Sequence, residues 1–149
     1  DGSGLVFSAV FGGAKSESAY DVSYDEAYGV TVLGATSSID FPVTAGAYST
    51  TLRGPSDVFV ARLKTDGTGF TFSTLIGGTN HDTARGMDVD ATGATVFCGP
   101  VTAGNFPTTP GAFFTLPNST RPGRRLSSAH SWAPALQTCG TSGSIRPGA

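Results

Sequence analysis

The stretch DGSGLVFSAVFGG at residues 1–13 returns as DGTGFTFSTLIGG at 66–78, 65 residues further along the chain. A fixed self-similar period determines the architecture before any local assignment is made. The same offset continues without a gap: Ala19 answers to Ala84, Asp25 to Asp90, Gly34 to Gly99, Phe41-Pro42 to Phe106-Pro107 and Gly46-Ala47 to Gly111-Ala112. Of the first 50 positions, 16 are identical to their partners. Many of these are Gly, Pro, Asp or aromatic, the types a repeated backbone needs for positive φ, turn closure and core anchoring. The repeat is therefore structural.

Within one period the strands follow from local pattern. Residues Asp21 to Tyr24 and Gly29 to Ala35 are short β-prone runs around DEAYG at 25–29, whose counterpart DATGA at 90–94 carries a turn glycine, so the pair reads as a hairpin. Asp57 to Leu63, DVFVARL, alternates in the manner of a half-buried strand. Phe70 to Ile76 follows after an Asp-Gly turn in KTDGTG at 64–69. Between the second and third strands lies a long irregular connection, SSIDFPVTAGAYSTTLRGPS at 37–56, in which Phe41-Pro42 and Ala47-Tyr48 are expected to tuck against the sheet. The result is four strands per 65 residues in an all-β chain with no long amphipathic helix. Composition agrees: of 149 residues 21 are Gly and only 13% are charged, against about 25% in ordinary soluble domains.

The succession DGSGLVFSAVFGG, AYDVSYDEAYGVTVLGATSSIDFPVTAGAYSTT and DVFVARLKTDGTG resembles the bacterial SBBP repeat, named for a seven-bladed β-propeller. The resemblance covers about residues 1–116 and rests on four features in order: the Asp-Gly-Ser-Gly opening, the Gly-Gly after the strand, the Thr-Ser-Ser-x-x-Phe-Pro loop and the Asp-x-Phe-Val-Ala-Arg-Leu strand. It implies a partial β-propeller built from four-stranded antiparallel blades, in a large secreted or surface-attached bacterial protein without catalytic residues to carry over. The expected organisation is a first repeat over 1–65 and a second, truncated repeat over 66–117.

Two departures mark the second copy. VTAGN at 101–105 replaces the Thr-Ser-Ser loop, and Cys98 stands where the first copy has Leu33. After Pro117 the offset calls for something like GPSDVFVARL, and the chain instead reads STRPGRRLSS. Residues 118–149 are accordingly expected to be a disordered tail outside the repeat, and a shifted reading frame would produce such an abrupt change. Its short patterns, Asn118-Ser119-Thr120 and Arg124-Arg125-Leu126-Ser127, are of the kind that arise by chance in polar tails, and Trp132 lies in the same stretch.

In this reading residues 1–11 supply the last strand of a preceding blade, 19–76 one full blade and 84–97 half of another. Propellers close with about 4–8 blades. The expected partners are thus further blades of a longer chain, or other copies pairing through exposed strand edges. A protein or carbohydrate ligand fits the class. The net charge of −2 gives no footprint for nucleic acid, and no apolar run is long enough to span a membrane as a helix. The chain opens on Asp1-Gly2-Ser3-Gly4, without an initiator Met or signal peptide, as a mature product or excised piece would.

Candidate chemistry is sparse. Asp88-x-Asp90-x-x-Gly93 superficially matches a calcium loop but lacks a third acidic ligand and the closing Glu, so a β-turn is the simpler account. Asp82, beside His81 and matched by Glu17 in the first copy, is a further candidate cation ligand with turn capping as the competing explanation. A nucleophilic triad has no G-x-S-x-G elbow to start from, and the two histidines are His81 and His130. Cys98 and Cys139 are too few for zinc, and Cys98, within a strand, is expected to be a buried thiol, with a disulfide between the two as the alternative. No catalytic or cofactor-binding residue is assigned. A propeller hydrolase or lyase whose site draws on loops of other blades is the alternative function, and a calcium-stabilised adhesin repeat a third.

Overall fold

The structure, a computed structural model, describes residues 2–101 and 105–110 and the backbone of 127–131. Hydrophobic alternation and turn chemistry produce a four-stranded antiparallel meander, β1 (Glu17–Asp25), β2 (Gly29–Thr36), β3 (Asp57–Leu63) and β4 (Phe70–Ile76), in that spatial order. A second antiparallel sheet pairs β5 (Gly86–Val89) with β6 (Thr95–Pro100), and β7 (Ser127–Ser131) pairs with β6 on its other side. The protein is all-β.

The 65-residue repeat is visible as recurring contacts. Ala14 N–H donates to Asp40 Oδ1 at 2.9 Å, and its counterpart Thr79 N–H donates to Asn105 Oδ1 at 2.9 Å. The turn carboxylates behave alike: Asp25 Oδ1 accepts from Ala27 N–H at 2.8 Å, and Asp90 Oδ1 from Thr92 N–H at 2.8 Å. Such Asx hydrogen bonds hold a tight turn without a second chain. Gly34 and Gly99 are glycine for one shared reason: a Cβ would lie 2.3 Å from the Ser18 carbonyl oxygen and 2.2 Å from the Thr83 carbonyl oxygen respectively.

Two apolar layers flank the first sheet. On one face Leu33, Val58, Val60 and Ile76 meet Ala84, Met87, Phe97 and Phe106 of the second repeat. On the other, Phe59, Ala61 and Leu75 are covered by Phe11, Phe41, Val43 and Leu52. Phe41 stacks on Phe59 with ring centroids 4.6 Å apart, and Phe11 meets Phe41, Phe59 and Phe70 edge-on. Offset and edge-to-face ring pairs contribute beyond their buried area.

Several sequence expectations change. The alternation in Asp57–Leu63 suggested a half-buried strand, yet all seven residues of β3 are buried. The reason is its central place, with a loop on one face and the second sheet on the other; its polar members, Asp57 and Arg62, are paired rather than solvated. Residues 5–11 form no strand, because a strand needs a ladder partner and none lies beside them among the described residues. In the long connection Phe41 is buried as expected, but Tyr48 is 53% exposed; Val43 and Leu52 cover the sheet instead. β7 falls in the stretch read as a tail, while the remainder of 111–149 lies outside the described residues, along with His130's side chain and Trp132.

Candidate functional site

Three polar features lie at or beside the junction of the two sheets. The first is Arg62, 5% exposed, on the face of β3 that the second sheet covers. Its Nε donates to Thr31 Oγ1 at 2.8 Å within its own sheet, and its Nη2 donates across to the Gly93 carbonyl at 2.8 Å and to Thr95 Oγ1 at 3.3 Å. The guanidinium also lies over the rings of Tyr28 and Phe72. Desolvation lowers its pKa from the ordinary value, opposed by the charge of Asp25 and by Tyr28. A planar fork of donors is suited to bridging two sheets in this way.

The second feature is a pair of buried carboxyls at the opposite ends of these strands. Asp57 accepts from the backbone N–H groups of Arg53 at 2.8 Å and Gly54 at 3.1 Å, closing the turn that leads into β3. Asp82 Oδ2 accepts from Gly78 N–H at 2.7 Å, while its Oδ1 is buried without a hydrogen-bond partner among the described residues. The repeat explains the orphan. In the first copy Glu17 pairs with Thr36 across β1 and β2 and accepts its hydroxyl hydrogen bond at 2.8 Å. In the second copy Asp82 bridges to Val101, which has no hydroxyl to give.

Burial raises the pKa of both carboxyls, most strongly through desolvation; for Asp82 the neighbouring Asp57 charge adds to this. A raised folded pKa means that the native state holds the proton more tightly. The associated stability is fully present below the unfolded value near ~3.9 and is lost as pH rises through the folded pKa. Val101→Thr is therefore expected to raise unfolding free energy by about 1 kcal/mol at neutral pH by giving Oδ1 a donor. The hydroxyl favours the charged carboxylate, so the gain should shrink as pH falls toward 4. Urea unfolding at two pH values checks both statements.

Beside this pair, Ser56 Oγ and His81 Nδ1 lie 3.2 Å apart. Hydroxyl, imidazole and carboxyl are thus neighbours, but a triad requires the carboxylate to orient the imidazole, and Asp82 Oδ1 makes no hydrogen bond to His81 or to any other described residue. Asp82 is brought to Asp57 rather than to Asp88 and Asp90, the other two candidate cation ligands. Those sit at the far end of the β5–β6 hairpin, where Asp88 Oδ1 accepts from Val89 N–H and Asp90 caps the turn through Thr92 and Ala94. The Thr92 and Ala94 hydrogen bonds hold the Asp90 carboxyl below its ordinary pKa. Among the described residues no three His, Cys, Asp or Glu side chains converge as metal ligands would. Cys98 is disulfide-bonded, not the free thiol expected of a buried strand position, and its partner lies outside the described residues.

The third feature is a groove of about 520 Å³ along the outer edge of β4. Its walls are the Thr44–Tyr48 loop, Thr71 to Thr74 of β4 and the Thr92–Thr95 turn, with Val60 at its base. Half of its lining residues carry a hydroxyl, but most of its open surface is apolar, and Tyr48 is its exposed aromatic ring. Several hydroxyls are committed to the fold: Thr44 Oγ1 and Thr74 Oγ1 donate to the Ser73 and Ser49 carbonyls, and Ser73 Oγ to that of Pro42. Sequence reasoning missed the groove because it joins segments about 50 residues apart with no shared motif.

No helix among the described residues is long and apolar enough to cross a membrane. Comparison of the chain with protein-family models, curated proteins and solved structures returns no match in any of the three.

Proposed function

We propose that the chain is a run of β-propeller repeats of the kind it resembles, serving as a non-enzymatic scaffold or binding platform for protein or carbohydrate in a bacterial secreted or cell-surface protein. The observation that carries this reading is the recurrence of the same contacts at a 65-residue spacing, with one sheet stacked face to face on the next. A unit that buries its apolar face only against its neighbour is what repeat architectures are made of. The polar and aromatic residues serve the fold itself: turn carboxylates close the hairpins, stacked rings hold the long loop to its sheet, and Arg62 joins one unit to the next.

The groove beside β4 is the binding surface this reading offers. An exposed tyrosine ring at a mostly apolar groove edged by hydroxyl side chains is the chemistry that receives the apolar face of a sugar ring or of an extended peptide, with a few polar groups to orient it. NMR titration of the isotope-labelled chain with a panel of neutral oligosaccharides tests it. Shifts confined to Thr44–Tyr48, Thr71–Thr74 and Thr92–Thr95 are expected, with Tyr48→Ala weakening binding by about tenfold, the loss of one aromatic contact. A panel that leaves these residues unshifted would reduce the groove to a gap between sheets and leave the scaffold role alone.

A further inference from the structure

The two copies of the repeat are not equally buried, and one of the differing faces is the one that the second copy turns toward the first. The second sheet turns Ala84, Met87, Thr95 and Phe97 toward the first sheet, with exposures of 0%, 7%, 4% and 2%. Their counterparts 65 residues earlier are Ala19, Val22, Val30 and Val32. Val22 is 63% exposed, Ala19 is exposed, and Val30 and Val32 are only half-buried. Tyr24, on the same face as Val22 by its pairing with Val30, is 65% exposed. The contact that closes over the second copy is therefore missing from the first.

The chain already supplies one piece of what belongs there. Residues 5–11 are the counterparts of Phe70–Ile76, which form β4. Ile76 packs with Phe106 at the sheet junction, and its counterpart Phe11 packs with Phe41, the counterpart of Phe106. Phe11 thus occupies the place that a preceding sheet's fourth strand would give it. Leu5, Val6 and Val10 are 85%, 96% and 99% exposed, with no strand beside them among the described residues.

We infer that the β1–β2 face formed by Ala19, Val22, Tyr24 and Val32 is the docking seat for a preceding sheet of the same repeat, whose fourth strand is residues 5–11. The occupant must present the chemistry of Leu33, Val58 and Val60, together with a buried arginine equivalent to Arg62 to reach the Glu26–Tyr28 turn as Arg62 reaches Gly93. The assignment rests on the repeat reading proposed above. It is independent of whether the β4 groove binds any ligand.

The experiment extends the full chain rather than cutting it: a second copy of residues 1–65 is placed directly before Asp1, in register with the natural repeat. Val22→Cys is introduced in the original copy and its thiol labelling rate compared with and without the added repeat, with Met87→Cys as the protected reference. Cys98, being disulfide-bonded, does not compete for the label. Labelling of Val22→Cys is expected to slow by about tenfold or more, and amides of residues 5–11 to become protected from hydrogen exchange as they enter a ladder. Val22→Asp should be nearly neutral in the natural chain, where the side chain is mostly exposed, and should abolish the new amide protection in the extended one. Equal labelling in the two chains, or protection that survives Val22→Asp, overturns the inference. Docking without any glycan or protein binding would sink the platform reading alone, since the thiol and amide readouts require no ligand.

Discussion

Phe59→Ala is expected to lower the unfolding free energy by about 3–5 kcal/mol, the range for removing a buried ring that the surroundings cannot collapse to replace. Phe59 is 2% exposed at the centre of β3, stacked on Phe41 and edge-on to Phe11, and its ring tip fills the space above Gly34. Truncation removes the ring contact that helps hold Phe41 to the sheet, leaving the long loop to its hydrogen bonds with β4. Domains of this size have total stabilities of about 5–15 kcal/mol, so the variant sits at or near the edge of folding. Chemical denaturation monitored by circular dichroism checks the prediction, and Phe59→Leu separates ring loss from cavity formation by retaining much of the volume. A cost below about 1 kcal/mol for Phe59→Ala would mean that the two-ring stack carries little of the core.

Arg62→Ala should cost about 2–4 kcal/mol, and its effect should be directional. The substitution strips donors from the Thr31 hydroxyl within the first sheet and from the Gly93 carbonyl and Thr95 hydroxyl of the second, at about 1–3 kcal/mol for each buried group left unsatisfied, before water recovers part of the loss. Because Nη2 serves the second sheet, amides of β5 and β6 should exchange faster, while those at the centre of β3 change less. Arg62→Lys should recover little: a single ammonium cannot reach Thr31 and Gly93 together while lying over Tyr28 and Phe72. Hydrogen exchange measured peptide by peptide reads the asymmetry. Uniform acceleration in both sheets would show that Arg62 supports β3 itself rather than the junction.

The positions of these residues separate what pattern reveals from what packing decides. The bounds of β3 and β4 follow from local sequence, because alternation and the Asp66-Gly67 turn act within a few residues. β1 runs four residues earlier than its β-prone core suggests, since Glu17 and Ser18 gain strand character from pairing with Thr36 and Ala35. The role of Arg62 was not legible: a lone arginine in an alternating strand reads as the solvent-facing member. Only the second sheet, arriving from residues about 30 positions later, turns that face inward.

Asp82 teaches the same lesson from the opposite direction. Its sequence neighbours suggested a loop ligand or a turn cap; the fold sets it beside Asp57 with one oxygen capping Gly78 and the other without a partner among the described residues. The signal that could have located this lies in the repeat itself, where Glu17 with Thr36 has become Asp82 with Val101. Reading pairs of equivalent positions, rather than single residues, shows a donor lost from one copy.

By itself the sequence determined the period, the strand-forming segments, the turns and the all-β class, because each depends on interactions within a hairpin or on the identity of residues 65 positions apart. Tertiary structure alone decided which face of each strand is covered, which polar side chains are buried and where the groove opens. Those outcomes depend on one sheet stacking upon another. The period-2 geometry of a strand says that two faces exist, and only the neighbouring sheet determines which of them meets water.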